Sequence, residues 1–335
     1  MNHLIQIDND SGTAKYRQIV QSILGAIEKG ELKLGDQIPS LNLWIQETGL
    51  SQDTILTAYN ELKFRGIISS SVGKGYYVTK TEILEEHHIF VLFDKMTPYK
   101  ETLYESMKQT AGQKAVLDIY FHHGNQKVFD TLLKNAIGHY TAYMVVPIIS
   151  NQTDMILSGI PRRKVVILDQ GIARYGKKYR SVCQTFEKDI FDSLSVHIER
   201  IKKYKKIYFI HQDRRQQFKE LENGFRTLCS TYKLKSAVLP GLEEHRIEIH
   251  GLYVTVDDKD LFNIIKSCRQ QQYVPGQDIG VISYNDTPFK EIIGDGVSTI
   301  STDFQLMGQT AIEMILNNRT LHLENPSKLI LRNSF

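Results

Sequence analysis

Apolar residues recur at three- and four-residue intervals through Tyr16, Ile19, Val20, Ile23, Leu24 and Ile27, so the first predicted helix buries one stripe and stops at Gly30. Pro39-Ser40 reads as a turn whose serine hydroxyl caps a second helix starting near Leu41, with Leu41, Trp44 and Ile45 facing inward. Gly49 breaks that helix. Ser51 caps a third, whose buried stripe is Ile55, Ala58, Tyr59 and Leu62 and whose end is Gly66. Two short strands follow, Ile67 to Ser71 and Tyr76 to Thr79, around the turn Val72-Gly73-Lys74-Gly75. Helix, short turn, helix and then a hairpin predict a winged helix-turn-helix over residues 1–79.

Residues 80–88 are polar, charged and without period, which marks a linker. The pattern then changes. Apolar runs of strand length (Ile89 to Phe93, Val116 to Tyr120, Ala142 to Pro147, Lys164 to Asp169, Lys206 to His211, Gly251 to Val256 and Asp278 to Tyr284) alternate with amphipathic segments of helix length. That alternation predicts an α/β domain over residues 89–335, with mainly parallel strands and helices on both faces. Such sheets bind ligands at the carboxyl ends of their strands, so the polar residues just after each run are the candidates.

Composition narrows the class. At 335 residues the chain exceeds one ordinary domain. A hydrophobic fraction of 41% and a charged fraction of 24% exclude a disordered or collagen-like chain. No apolar run is long enough to span a bilayer, and no basic segment precedes an apolar stretch at the start, so a cytoplasmic protein is expected. Cys183, Cys229 and Cys268 are odd in number and far apart, which suits reduced thiols rather than a disulfide framework or a metal knuckle. The net charge of +3 is small and the first eighty residues are balanced, so any nucleic-acid site must come from local clustering of cations.

The order of signals from Tyr16 to Val78 resembles the GntR family of winged helix-turn-helix regulators. Leu34-Gly35-Asp36-Gln37-Ile38-Pro39-Ser40, Ala58-Tyr59-Asn60-Glu61-Leu62, Arg65-Gly66-Ile67-Ile68 and Gly73-Lys74-Gly75-Tyr76-Tyr77-Val78 carry the resemblance. It implies double-stranded operator DNA as a partner. The first turn of the third helix would then enter the major groove with Ser51, Gln52, Asp53, Thr54 and Thr57. Ser40 and Asn42, at the start of the second helix, would hold phosphate or a base edge, with Arg65 on phosphate and Gly73, Lys74 and Gly75 on the wing against the backbone or minor groove. The family often has arginines where this chain has Asn42, Gln52 and Leu56, so its commonest operator sequence is not expected here.

From about His88 to Phe335 the chain resembles the effector domain of the LacI family, itself similar to periplasmic sugar-binding proteins. Gly251 to Asp258, Val274 to Asp286, Ser298-Thr299-Ile300 and Leu329 to Ser334 match in the family's order. The resemblance implies two α/β lobes that close on a sugar-like effector, and a homodimer. Effector candidates at strand ends are Asp94, Tyr99, Asp169, His211, Asp257, Asn285 and Asp286; carboxylates and amides pair with hydroxyls, and an aromatic ring stacks on an apolar sugar face. An arginine common in the family is Leu221 here, and Arg214 and Arg215, in the loop upstream, are the candidates to replace its charge.

The whole reads as an arabinose-repressor-like architecture: a ligand-controlled DNA-binding regulator, a repressor by resemblance, with no cofactor, metal or enzymatic activity expected. Two rivals stay open. One is a GntR-type fusion to an enzyme such as an aminotransferase-like domain; the other is a solute-binding protein whose N-terminal helices only mediate assembly. Gly73-Lys74-Gly75 lacks the spacing of a phosphate-binding loop, and the adjacent pairs His87-His88 and His122-His123 point to opposite faces of a strand rather than to one metal.

Overall fold

The computed structural model describes residues 7–8, 13–71, 75–81, 87–211, 216–242 and 247–335. Gly73, Lys74, Arg214, Arg215 and residues 82–86 of the expected linker lie outside the described residues. The chain groups into two compact units. One is Met1–His88 with Gln113–Val116 and Ala136–Thr141; the other holds the remainder.

In the first unit α1 (Lys15–Glu28), α2 (Leu41–Thr48) and α3 (Gln52–Phe64) are followed by the antiparallel strands β1 (Ile68–Ser71) and β2 (Gly75–Val78). Each helix forms where its stripe can be buried: Ile19, Val20, Ile23 and Ile27 of α1 meet Trp44 of α2 and Ile55, Ala58, Tyr59 and Leu62 of α3 in one core. Ser40 and Ser51 cap α2 and α3, their hydroxyls accepting from the amides of Leu43 (3.2 Å) and Thr54 (3.3 Å). Trp44 Nε1 donates to the Tyr59 hydroxyl at 3.0 Å, and that hydroxyl donates to the Pro39 carbonyl. Burial pushes the Tyr59 phenol well above its ordinary pKa, so it stays a donor. This relay fixes α3 against the turn before α2.

The second unit contains two six-stranded sheets. The first is ordered β13-β7-β6-β5-β3-β4 and the second β14-β12-β11-β10-β8-β9. Their strands are β3 (His87–Phe93), β4 (Ala115–Phe121), β5 (Ala142–Val145), β6 (Val165–Asp169), β7 (Arg180–Cys183), β8 (Lys206–Ile210), β9 (Ser236–Leu239), β10 (Gly251–Thr255), β11 (Gly280–Tyr284), β12 (Ser298–Thr302), β13 (His322–Glu324) and β14 (Ser327–Ile330). The pairs β3/β5, β5/β6, β6/β7 and β7/β13, and β9/β8, β8/β10, β10/β11 and β11/β12, are parallel; β14 runs antiparallel on the edge of β12. The expected strand starting at Ile89 begins two residues earlier, so His87 and His88 are strand rather than linker.

Helices α4 (Pro98–Ala111), α5 (Gln126–Ala136), α6 (Asn151–Ser158) and α7 (Ile172–Tyr175) connect strands of the first lobe. Helices α8 (Phe186–Ser195), α9 (Ile198–Ile201), α10 (Gln216–Thr231), α11 (Asp258–Gln271) and α12 (Pro288–Ile292) belong to the second. The chain crosses between lobes after β7, after β12 into α13 (Phe304–Leu316), and from β13 to β14. Phe186, Ile190 and Leu194 of α8 pack with Leu221, Phe225 and Leu228 of α10 and with Phe209, Val254 and Ile282 of the sheet. All three cysteines are buried and free.

Gly224 lets α10 approach α8. A methyl group there would fall inside contact distance of the Glu187 carbonyl oxygen and the Ile190 side chain. Gly224→Ala is therefore expected to cost about 1–3 kcal/mol by overpacking, despite the higher helix propensity of alanine. A urea-unfolding midpoint at or above that of the parent chain would show that α8 can move aside.

Candidate functional site

Two surfaces gather the residues picked out by sequence. On α3 the capping serine Ser51 also shares a 2.9 Å hydrogen bond with Thr54, and Thr57 donates to the backbone oxygen of Asp53 at 2.7 Å. Those hydroxyls serve the helix itself. Gln52 and Asp53 project exposed side chains from its first turn, and Asn42 is exposed one residue into α2. Arg65 is half-buried and paired with Glu61 one turn earlier. Gly75 has a left-handed φ of 102° and the Gln37 amide lies against it, so its glycine is required by the backbone and by space.

At the carboxyl ends of the first lobe's strands, Asp94 and Asp169 are brought together by a residue that sequence reasoning missed. Lys100, 1% exposed in the first turn of α4, pairs with Asp94 and lies 3.5 Å from Asp169. A lysine so buried is stable as a cation only beside carboxylates, and two of them surround it. Gln184, just past β7, donates to Asp169 through Nε2 and accepts from the Tyr284 hydroxyl through Oε1 at 3.1 Å. Lys100, Asp169, Gln184 and Tyr284 thus form a chain that starts in one lobe and ends in the other. Tyr99 stands beside Lys100 with its ring 4.8 Å from that of Phe304. A signal for Lys100 exists in the sequence: it shares the stripe of Leu103, Met107 and Ala111, where a cation needs a buried partner.

The second lobe separates its candidates. His211, after β8, bonds Glu222 through Nε2 at 2.9 Å and stacks at 6.1 Å on Phe218. Arg226 reaches the other oxygen of Glu222, and the two bonds hold that carboxyl below its usual range against the opposing effect of burial. Asp257 caps α11, accepting from the Lys259 amide at 2.8 Å. Asp286 accepts from the Thr299 hydroxyl and from both ends of the Arg332 fork at 2.8 and 2.9 Å, so it is committed to the C-terminal segment. Asn285 differs: φ is 61° and its carboxamide oxygen is buried without a hydrogen-bond partner. A buried acceptor left so costs about 1–3 kcal/mol.

A cavity of about 860 Å³ opens beside the chain that links the lobes. Its walls include Ile149 and Arg174 from the first lobe, Lys188 and Phe191 from α8, and Asn223 and Thr227 from α10. None of the strand-end candidates lines it, but Gln184 belongs to both. The volume suits a small organic molecule.

Residues 15–78 match the family described as bacterial regulatory proteins, gntR family, and residues 201–335 match a periplasmic binding protein-like domain. The HTH-type transcriptional repressor YtrA of Bacillus subtilis is 36% identical over 103 residues, which are 30% of this chain and 73% of YtrA. The solved dimeric Lac repressor with an 11-residue C-terminal deletion superposes with a TM-score of 0.62 at 13% identity, over 74% of this chain and 98% of that one. A LacI family transcriptional regulator from Enterococcus faecium with bound ribose gives 0.59 at 14% identity, over the same 74% and 98%. At such identity the two structures establish a shared fold.

His122, at the end of β4, supplies a test of the first lobe's strand-end environment. Its Nε2 donates to the Val146 carbonyl at 3.1 Å, Nδ1 accepts from the Gly124 amide, and burial lowers its pKa to about 4. The unfolded chain takes up this proton near pH 6.5 and the folded one refuses it, so stability is lost as pH falls below 6.5. Asp189, raised to about 6 by burial, works in the opposite sense in any variant that leaves it in place. His122→Asn is expected to remove roughly 2 kcal/mol of acid destabilisation between pH 7 and pH 5, measured by urea unfolding at both values. An unchanged difference between the two pH values would place the titration elsewhere.

Proposed function

This chain belongs to the gntR family of bacterial regulatory proteins, and from that premise we propose that it is a sugar-responsive repressor acting as a homodimer on operator DNA. It is a transcriptional regulator that joins a DNA-binding winged helix-turn-helix to a LacI-like sensor. In our reading each winged domain reads one half of a pseudo-palindrome, with Gln52 and Asp53 on base edges and Ser40, Asn42 and Arg65 toward the phosphates. A Gln at that place can pair twice with adenine. Such work is done in the cytoplasm, where the chromosome is.

The effector binds between the lobes of the sensor. The observation that carries this is the buried, unpartnered oxygen of Asn285 at the end of β11, an acceptor suited to a ligand hydroxyl. In this reading His211 and Asp257, after the neighbouring strands β8 and β10, face Tyr99 of α4 in the first lobe, while Asp94, Asp169 and Asp286 shape the site through their internal partners. The ribose in the Enterococcus faecium structure supports a monosaccharide, and the names of YtrA and the Lac repressor support repression. The effector shifts DNA affinity only by the difference in its affinity for the two lobe arrangements.

The division of labour is testable on operators selected from a random DNA pool. Gln52→Ala is expected to weaken selected-site binding by about 1–3 kcal/mol while effector affinity stays unchanged. Asn285→Gly, which keeps the left-handed backbone, is expected to weaken effector binding about tenfold and leave DNA binding by the unliganded protein intact. Equal loss of both activities in either variant, with folding preserved, would refute the assignment.

A further inference from the structure

At the amino ends of three strands on one edge of its sheet, the first lobe gathers cations without carboxylates. Arg162, Arg163 and Lys164 form a single 3-10 turn that leads into β6. Lys177 and Lys178 lead into β7, whose first residue is Arg180, and Arg319 lies between α13 and β13. The registers Val166 to Arg180 and Ser181 to His322 set the three strand starts side by side. No Asp or Glu occurs in residues 159–165, 176–182 or 317–323. These seven positive charges exceed the net charge of the whole chain, +3, so the remainder is net negative and the patch is a local field rather than a share of a basic surface.

The cations are not consumed internally. Arg162, Arg163, Lys177 and Arg319 are exposed, and none of them forms an ion pair among the described residues. Arg180 is 4% exposed, and among the described residues it meets no carboxylate: it bonds the Met314 carbonyl at 3.0 Å and the Asn318 side-chain oxygen at 2.5 Å, and its Nε is buried without a hydrogen-bond partner. Burial and the like charge of Arg163 both lower its pKa. A buried cation without a counter-ion carries a cost that an arriving anion relieves. Asp154, the carboxylate within electrostatic reach of Lys178, is held by Arg174 at 2.5 Å. The other basic run, Lys202 to Lys206 at the amino end of β8, is partly engaged: Lys202 pairs with Glu199 at 2.6 Å and Lys206 lies 4.9 Å over the Tyr208 ring.

We infer that this edge of the sensor is a second DNA contact, which takes the phosphate backbone of the duplex flanking the operator site. The inference rests on the DNA-binding reading above. Guanidinium forks match phosphate oxygens two at a time, and lysines neutralise backbone charge without regard to sequence. The chain arrives from the DNA-binding domain at this same end of the sheet, through the amino end of β3, because the strands are parallel. Such a contact adds affinity and salt dependence but no base preference.

The experiment compares two duplexes that carry a site selected from a random pool, one ending at the site and one extended by about two helical turns on each side. Binding of the full chain to each is measured over a range of salt concentrations. The extended duplex is expected to give the steeper fall of log affinity with log salt, by about 0.9 for each added phosphate contact. The triple variant Arg162→Gln/Arg163→Gln/Arg319→Gln is expected to lose about 2 to 3 of that slope per protomer on the extended duplex and none on the short one. Lys202→Gln/Lys203→Gln/Lys205→Gln, which removes the same charge elsewhere, is expected to leave both slopes as in the parent. Equal slopes for the two duplexes with the parent chain, an extended-duplex slope that survives in the patch variant, or the same loss in both variants overturns the inference. So does a patch variant that loses retention on heparin while its DNA slopes stay unchanged, which assigns the patch to a different polyanion. A folded chain for which no site can be selected refutes the DNA-binding reading and this inference with it.

Discussion

A lysine ammonium removed from water loses several kcal/mol of hydration, and nothing in an apolar helix-sheet contact returns it. Lys100 recovers that loss from Asp94, just past β3, and Asp169, the last residue of β6. These strands are not neighbours, because β5 lies between them. One side chain from α4 therefore ties together the carboxyl ends of two strands across the one between them. Removing Lys100 would leave two buried carboxylates without a cation, and removing either aspartate would leave the lysine with one partner, so the three are constrained together rather than singly.

From Asp169 the constraint runs outward. The Gln184 carboxamide is held at both ends, donating to Asp169 in the first lobe and accepting from Tyr284 in the second. Gln184 begins the first crossover, and Tyr284 ends the strand that leads into Asn285. A change of lobe angle must either carry this amide along or break its bond to Tyr284, and the phenol is fully buried with a pKa raised by burial, so it remains a donor. The chain of bonds is a physical element that couples the strand ends of the first lobe to the end of β11 in the second.

Much of this was legible in the chain. The serine caps, the stripes of the first three helices and the wing follow from local chemistry, because Ser40, Ser51, Trp44 and Tyr59 each do what their immediate neighbours require. The apolar strands were equally plain. What escaped was polar structure buried by tertiary contact. β12 reads Ser-Thr-Ile-Ser-Thr and is wholly buried; the hydroxyls of Ser298, Thr299 and Thr302 are satisfied by Arg332, Asp286, Asn325 and Pro326, which lie 13 to 34 residues away, and that of Ser301 by the adjacent Thr302 carbonyl. No local period announces such a strand. At Asp257 and Asp286 the spacing shows only a strand end, whereas the helix cap and the Arg332 fork that engage them are set by the fold.

The chemistry left at the strand ends follows from the backbone. A chain leaving a parallel strand toward its helix must turn at once, and at Asp169 and Asn285 it does so through left-handed φ values of 66° and 61°. Aspartate and asparagine tolerate that region better than other residues with a β-carbon. The turn thus selects short polar side chains where a ligand between the lobes would lie, before recognition is considered. Asp169 then spends its carboxylate on Lys100 and Gln184, while Asn285 keeps a buried oxygen without a partner. Two residues chosen by one backbone requirement differ in what remains available to a ligand, and only neutral Asn285 can keep a buried acceptor without bringing a further buried charge.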